Sequence, residues 1–442
     1  MIDQYYGSYN FSNIATQYPP FPTYIIGTLM DIGKSVFQSD NAGMFMYVML
    51  QTVVCAFACT KALTLLDELK VNKKIIYFLL LIYTFFPDFG ASAQLGVSNV
   101  LNYGLTLLAC TYIYRIYRQI SDGQLTSKGI FSCVWFINCA FLGILWRKEM
   151  LYIYTFISVV LIIYCFRAKC LRACVSLVYG ILIFSLTAAY SDKVIIEKLM
   201  GQSYSPVFNT KILTVPLRQV ARFAYYHNDL VSAKEKDVLN RSFSYGYEGM
   251  RKNHNVNPSD PLIFNFKPSE INKEEFFNVY WSFFRKDPLL FLEGIIANSY
   301  GYYSIIPDVP AANLPGLRLP FLRMYKQPDR FFGHLKGIEY RSETKQLRTQ
   351  LNDWLTELEK SLNVFFGFGL CTFWLTVLCS YAILKQRTIT AAIPYIIPLM
   401  LCMVCIASPL NDNGRYYIGI FYIMPLIIGV ASSPQNLKRR CC

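Results

Sequence analysis

Long apolar segments alternate with short polar loops along most of this 442-residue chain. Each segment has roughly 18 to 22 residues and almost no charge, which is the length of a helix that crosses a bilayer. The hydrophobicity is continuous rather than alternating, which predicts helices and excludes a barrel of strands. We predict about nine transmembrane helices, at Gly43–Leu66, Ile75–Ala91, Val97–Tyr117, Gly129–Trp146, Leu151–Phe166, Leu171–Tyr190, Phe365–Leu384, Ala391–Leu410 and Tyr416–Ser432.

The composition supports this interpretation, because 54% of the residues are apolar and only 16% are charged. The predicted fold class is therefore an all-α polytopic membrane protein with a mostly helical outer domain. We divide the chain into an outer N-terminal segment with its following helix (1–42), six transmembrane helices (43–190), an extracytoplasmic domain (191–362), and three transmembrane helices with a basic cytoplasmic tail (363–442).

Lysine and arginine residues predict the orientation, since short loops rich in them stay in the cytoplasm. Such loops alternate with cation-poor turns, which places the segment 191–362 outside, at the cytoplasmic membrane. We interpret the net charge of +14 as a signal that fixes the orientation in the membrane and as a source of attraction to anionic membrane lipids. No basic stripe with interleaved aromatics lies elsewhere, so we expect no nucleic acid partner. The cytoplasmic clusters lie at residues 70–74, 115–128, 167–172, 385–387 and 438–440.

The outer segment changes to short amphipathic helices, which indicates a folded domain rather than a linker. It contains no cysteine, so no disulfide holds it together. A further apolar and aromatic stretch, Pro288–Ile306, is predicted to lie along the membrane interface. The amphipathic helices are predicted at Thr210–Tyr226, Ala233–Asn240, Glu274–Lys286 and Thr344–Leu362.

The first 22 residues are polar, aromatic and proline-rich, and the topology places them outside with no span before them. Two explanations stay open. Either an upstream transmembrane helix is missing from this sequence, or the following helix translocates the short tail.

Polar residues gather at the predicted outer ends of the helices, where charges at a membrane boundary serve structure or function. The topology puts all of these places on one side, as an active site requires. They are Asp3-Gln4 with Tyr18-Pro19-Pro20, Asp88, Arg147 with Glu149, Pro216–Arg222, and Asn411–Arg415.

These motifs, in this order, resemble those of multi-pass bacterial membrane proteins of the GT-C glycosyltransferase superfamily, and among them a family of polysaccharide-modifying enzymes. The resemblance covers nearly the whole chain. Two departures are Tyr18, where the family usually has His, and Ser98-Asn99, where relatives tend to carry Lys-Asp. The matching stretches are Asp3 with Tyr18-Pro19-Pro20, Arg147-Lys148-Glu149, Pro216-Leu217-Arg218-Gln219-Val220-Ala221-Arg222, Lys286–Leu292 and Arg415-Tyr416.

The resemblance implies transfer of a sugar from a polyprenyl-phosphate-sugar donor to an envelope glycan or lipid-linked acceptor on the outer membrane face. A carboxylate would act as the general base, with Asp3 and Glu149 as candidates. The catalytic acid of the first outer loop is either Asp3 or lies before Met1. No cofactor is implied with certainty, and a divalent metal stays open. The substrate-binding candidates are Arg147, Arg222 and Arg415 for the phosphate, with Gln219 and Tyr18.

Three alternatives remain at this stage. A transporter or flippase of lipid-linked sugars would also be polytopic, but it would carry ionisable residues in the middle of its spans. The predicted spans are nearly free of charge there, which favours an enzyme with a one-sided cavity. A catalytically inactive homologue and a scaffold without chemistry are the other two interpretations.

Overall fold

The protein is described here by a computed structural model whose described residues are almost entirely helical and contain no strand. They fall into two compact units. The first lies within Met1–Val207, Gly316–Cys402 and Gly414–Cys442, and the second within Phe208–Pro315 and Met403–Asn413. The structure describes residues 19–86, 89–90, 98–122, 127–201, 213–254, 262, 265–267, 273–304, 346–347, 349–351, 353–354, 367–407 and 414–433.

The first unit is a bundle of long apolar helices. A π-helical turn, Val194–Leu199, extends α7, and a 3₁₀ turn, Ile389–Tyr395, precedes α14 because Pro394 lies within it. The helices are α1 Pro20–Phe37, α2 Asp40–Glu68, α3 Lys73–Phe85, α4 Ser98–Ser121, α5 Ser127–Trp146, α6 Met150–Arg167, α7 Leu171–Lys193, α13 Phe368–Gln386, α14 Ile396–Ile406, of which residues 396–402 belong to this unit, and α15 Gly414–Ala431.

Five helical segments of the described chain are long and apolar enough to cross a membrane. Only 28% of the apolar window in α2 is buried, so most of its side chains face outward, as lipid-facing side chains do. The prediction of an all-α membrane protein is thereby confirmed at this level, and the full count of nine spans stays a prediction. The five segments are Asp40–Glu68, Met150–Arg167, Leu171–Leu199, Phe368–Gln386 and Ile389–Ile406.

The predicted helix Ile75–Ala91 was wrong at its end, because α3 stops at Phe85 and Phe86 has an extended backbone. The reason is Pro87, since the residue before a proline is disfavoured in the helical region. Asn72 fixes the other end of α3 by accepting a hydrogen bond from the backbone N–H of Lys74.

The most central helix of the bundle is α4. Every residue from Val100 to Tyr114 is buried, because α2, α5 and α15 all pack against it. A helix surrounded by protein does not need a lipid-facing apolar surface, which explains why α4 carries several polar side chains. Among these, Asn102 and Thr106 are 2% and 1% exposed.

The packing of α1 against α2 depends on two glycines, Gly33 and Gly43. A Cβ atom on Gly43 would lie 2.6 Å from the Cα atom of Met30, and a Cβ on Gly33 would collide with the Gly43 backbone. The two helices therefore approach more closely than side chains at these positions would permit.

The cation-rich ends of four helices meet at one end of the bundle. Arg115 of α4 donates a hydrogen bond to Glu68 of α2 at 2.6 Å. The Tyr117 hydroxyl donates to Gln386 of α13 at 2.7 Å, and Ser121 lies 2.8 Å from the Tyr164 hydroxyl of α6. The described helix ends that adjoin four of the predicted cytoplasmic loops are thus neighbours at the same end of the first unit.

The second unit packs five short helices around an aromatic core that includes the stacked rings of Phe223 and Phe283, 4.3 Å apart. Ser232 and Glu235 form a reciprocal capping box at the start of α9, and Asp287 caps α12 with Pro288 at its first position. The helices are α8 Thr214–Tyr226, α9 Ala233–Ser242, α10 Gly246–Lys252, α11 Lys273–Lys286 and α12 Pro288–Ser299.

Candidate functional site

A short turn between α5 and α6 holds Arg147, Lys148 and Glu149. The backbone N–H of Arg147 still donates to the Gly143 carbonyl at 2.8 Å, so Arg147 continues the last turn of α5. Its Nε atom lies 3.5 Å from Oε2 of Glu149. Lys148 pairs with Asp192, near the end of α7. The turn therefore contains one ion pair of its own and is linked to the end of a third apolar helix by the other.

Arg147 is the most deeply buried charge of this region, at 7% exposure. Among the described residues, no other Asp, Glu, Lys or Arg is as fully buried. Burying a guanidinium is costly unless anionic and polar groups replace its water. Glu149 provides one such group, yet its own side chain is 50% exposed and remains open to solvent or substrate.

Buried polar side chains lie one helical turn from Arg147, around Gly143. A Cβ atom at Gly143 would lie 3.1 Å from the Tyr154 hydroxyl and 3.3 Å from Oδ1 of Asn102. Thr106 approaches the same Tyr154 hydroxyl at 3.3 Å. Side chains of α4, α5 and α6 thus form one polar cluster inside the bundle, which we call the Gly143 cluster (Asn102, Thr106, Gly143 and Tyr154).

One buried acceptor of the Gly143 cluster, Oδ1 of Asn102, makes no hydrogen bond to the described part of the chain. Trp146, next to Arg147 in the sequence, packs edge-on against Phe21, with ring centroids 5.2 Å apart. A buried acceptor without a partner is costly, so the Gly143 cluster is not fully satisfied by the described side chains.

Arg222 lies on α8 in the second unit, and its side chain is 14% exposed. Its terminal nitrogen donates to Glu293 of α12 at 2.5 Å, and its guanidinium lies over the Tyr226 ring at 5.1 Å. The Nε atom of Arg222 is buried and has no hydrogen-bond partner among the described residues. One donor of this guanidinium is therefore buried without a partner in the described part of the chain.

Gln219, another predicted binding residue, is 4% exposed and both ends of its amide are engaged. Its nitrogen donates to the Phe291 carbonyl at 3.0 Å, and its oxygen accepts from the Tyr280 hydroxyl at 3.0 Å. These contacts connect α8 to α11 and α12. In this structure Gln219 stabilises the core of the second unit.

The remaining predicted site residues cannot be placed. Asp3, Tyr18 and Asp88 lie outside the described residues, and so does the side chain of Arg415, whose backbone belongs to the first turn of α15. For the metal that the resemblance left open, the described residues contain no group of three or more His, Cys, Asp or Glu side chains that could hold an ion.

One protein family matches residues 10–437, which is nearly the entire chain. The chain belongs to the DUF6020 family. This family is described as one of unknown function. No curated protein and no solved structure matches the chain. Membership in DUF6020 therefore does not assign an activity to the chain, and the glycosyltransferase function stays a prediction.

Several residues that contact the candidate site residues of this DUF6020 chain were not predicted from the sequence. Asp192 reaches Lys148, and Glu293 reaches Arg222, across long stretches of sequence. His254 lay among scattered histidines with no metal-like spacing, yet it shares the Tyr226 ring with Arg222. No local sequence motif predicts such contacts, because they depend on how the helices pack.

Proposed function

We propose that this DUF6020 chain is a membrane glycosyltransferase that moves a sugar from a polyprenyl-phosphate-sugar donor to an envelope glycan or lipid-linked acceptor. The reaction takes place at the outer face of the cytoplasmic membrane, in a fold of the GT-C type with about nine spans. The observation that carries the proposal is the buried Arg147 beside the half-exposed Glu149 at the end of an apolar helix.

Sugar transfer from a lipid phosphate needs positive charge where the phosphate departs. Arg147 suits this need, because a guanidinium donates two parallel hydrogen bonds to a phosphate and is strengthened in a site that excludes water. Its place at the end of α5 is where a polyprenyl chain in the bilayer would present its phosphate. Arg415, in the same unit, is a further candidate for this anion, and Arg222, in the second unit, remains a phosphate candidate from the sequence.

The acceptor hydroxyl needs a base. In the proposed step the acceptor oxygen bonds to the anomeric carbon while the bond from that carbon to the phosphate oxygen breaks. The hydroxyl proton passes to a carboxylate, and polyprenyl phosphate leaves with the bonding electrons. Glu149 is exposed enough to accept this proton, and Asp3 is the other candidate.

The sugar itself needs polar contacts at the membrane boundary. The Gly143 cluster lies one helical turn from Arg147, and Oδ1 of Asn102 in it has no hydrogen-bond partner among the described residues. In the proposed complex a sugar hydroxyl donates to this acceptor.

The arrangement of charge along α4 supports the orientation. Asn102 lies near the start of α4, in the Gly143 cluster, while Arg115 pairs with Glu68 near its end. The two positions are about 20 Å apart along the helix axis. With the cation-rich end in the cytoplasm, the Arg147 turn faces the opposite side of the membrane.

Sugar analysis of the envelope tests the proposal. A host that lacks the gene is complemented with the wild-type chain, with Arg147→Ala, or with the neighbouring Lys148→Ala as a matched control. We expect one sugar substituent to be missing from the envelope of the host that lacks the gene. The wild-type chain and Lys148→Ala should restore it, and Arg147→Ala should not. Unchanged glycans contradict the proposal, and accumulation of lipid-linked precursors on the inner leaflet would establish a flippase instead. An inactive homologue would leave both unchanged.

A further inference from the structure

Helix α12 presents a row of large apolar side chains on the surface of the second unit. Leu289, Leu292 and Ile296 are 74%, 53% and 59% exposed. Their spacing of i, i+3 and i+7 places them on one face of the helix. Single exposed apolar residues are common on proteins, but a continuous exposed row of this kind indicates contact with an apolar partner.

The other side of α12 is held by the core of the second unit. Phe291 is buried in that core, and its backbone carbonyl accepts a hydrogen bond from Gln219 of α8 at 3.0 Å. Glu293, beside the exposed row, accepts from Arg222 of α8 at 2.5 Å. The orientation of α12 is therefore fixed by its own unit, and the apolar row faces away from the core.

The second unit itself contains the end of a segment that is long and apolar enough to cross a membrane. Residues 403–406 belong to this unit, and they form the last turn of the apolar segment Ile389–Ile406. The first stretch of the unit, Phe208–Pro315, follows another such segment, Leu171–Leu199, after a short connection. Because the chain leaves the bilayer where this unit begins, the bilayer surface is an apolar partner within reach of α12.

The preceding helix, α11, supplies the residue types that favour a lipid interface. Trp281 is 51% exposed, and its ring packs edge-on against Phe284, which packs in the same way against Phe291 of α12. Arg285, four residues before Leu289, is exposed and has no ion-pair partner among the residues that the structure describes. Tryptophan is enriched at the boundary between lipid and water, and an arginine there is attracted to anionic lipid headgroups.

The size of the apolar row argues against a second copy of the chain as its partner. With 12 residues, α12 is about 18 Å long, and a helix is about 10 Å wide. The row therefore offers roughly 180 Å², whereas a stable protein–protein interface buries about 800 Å² on each partner. A lipid surface needs no such area, because the membrane-crossing segments already hold the unit beside it.

We propose that α12 lies in the membrane interface, with Leu289, Leu292 and Ile296 inserted among the lipid acyl chains and Arg285 at the lipid phosphates. At about 18 Å the helix is too short to cross a hydrocarbon core of about 30 Å, so it lies along the bilayer surface. The sequence predicted an interfacial stretch at Pro288–Ile306, and the exposed row narrows it to one face of α12. This inference goes beyond the proposed function, since it concerns how the second unit is held and stands whether or not the chain transfers a sugar.

Electron paramagnetic resonance of the full chain in nanodiscs of phosphatidylcholine and phosphatidylglycerol tests this placement. A spin-labelled amino acid is introduced by codon suppression at Leu292, which leaves the 14 cysteines of the chain unmodified. Its collisions with oxygen, which dissolves in lipid, are compared with its collisions with a water-soluble nickel chelate. Leu230 is the matched control position, because it is a leucine of the same unit, 48% exposed, in the turn Asn228–Leu230 rather than on α12.

We expect the ratio of oxygen to nickel accessibility to be about 10-fold or more higher at Leu292 than at Leu230. Labels at Leu289 and Ile296 should show the same high ratio. Frequent nickel collisions at Leu292 would place the apolar row in water. Low accessibility to both reagents would show that protein covers the row, either another segment of this chain or a second copy. Either result overturns the inference and leaves the proposed function in place.

Discussion

The guanidinium of Arg147 lies 3.5 Å from the carboxylate of Glu149, with the arginine buried and the carboxylate half exposed. An ion pair on an open surface contributes little to stability. A pair that is buried on one side and open on the other instead presents a positive donor to a bound anion and a base to solvent. This difference in exposure is the basis of the first prediction.

Glu149→Gln should lower the rate constant of sugar transfer about 100-fold, because a correctly placed general base contributes a factor of this order. Donor affinity should change little, since the amide removes the proton acceptor and keeps the shape of the side chain. Steady-state kinetics on purified protein separates the two quantities. Asp192→Asn, which affects only the Lys148 pair, should retain activity, and an equal loss in both variants would contradict the role of Glu149.

Gly43→Ala should destabilise the first unit, because the added methyl group would lie 2.6 Å from the Cα atom of Met30. Overpacking of this kind typically costs about 1 to 3 kcal/mol, and the contact here is with backbone that cannot rotate away. The thermal unfolding midpoint in detergent should fall by several degrees. Gly90→Ala is the matched control, since no atom of the described residues lies within 4 Å of its added Cβ, and an equal fall in both would contradict the close packing of α1 and α2.

Glu235 should make the second unit sensitive to acid. Partial burial alone would raise its pKa, but hydrogen bonds from Ser282, Ser232 and Lys286 outweigh it and hold the pKa below the ordinary 4.5. A lowered pKa in the folded state gives stability that is complete above the unfolded pKa and is lost as the pH falls through the folded pKa. The stability of the wild type should therefore fall as the pH drops below about 4.5.

Glu235→Gln should flatten this pH dependence and cost about 1 to 3 kcal/mol at neutral pH, because the charged acceptor is lost. Chemical unfolding monitored at several pH values measures both effects. Asp237→Asn changes an exposed pair with Arg241 on the same helix and should keep the wild-type profile. A wild-type slope that persists in Glu235→Gln would show that other groups cause it.

The orientation gives a separate prediction. A green fluorescent protein fused after Gln386 of α13 should fluoresce, since that residue meets Tyr117 at the cation-rich end of the bundle. Alkaline phosphatase fused after Met200, at the end of the π-helical turn, should be active because the proposed orientation places that end outside. The reverse pattern would place the Arg147 turn in the cytoplasm and would rule out the proposed outer site.

Much of the helical framework is readable from the sequence, because long apolar segments have few other stable arrangements in a membrane. α2 was predicted as Gly43–Leu66 and spans Asp40–Glu68. The error is local, since Pro87 shortens α3. The predicted span at Ala391 begins with a 3₁₀ turn that contains Pro394, and the segment Ile389–Ile406 is still apolar and long enough to cross a membrane. The central helix α4 is not among the five segments that are apolar enough to cross a membrane. It is buried against other helices, where polar side chains are tolerated.

The candidate sites are readable only in part. Arg147 and Glu149 are neighbours in the sequence, so their pairing at a helix end could be anticipated. Asp192, Glu293 and His254 could not, because each reaches its partner through the packing of separate helices. Gln219 shows the converse, since a polar residue in a promising motif is engaged by the core of its own unit.

The most direct measurement is sugar transfer by the purified chain in nanodiscs, with radiolabelled polyprenyl-phosphate sugars as donors and envelope extract as acceptor. We expect label from one donor to reach the acceptor, with the rate reduced at least 100-fold in Arg147→Lys, which keeps the charge but loses the paired donors. Lys148→Ala should match the wild type. Transfer at the same rate in Arg147→Lys and the wild type, or no transfer from any donor, would contradict the account.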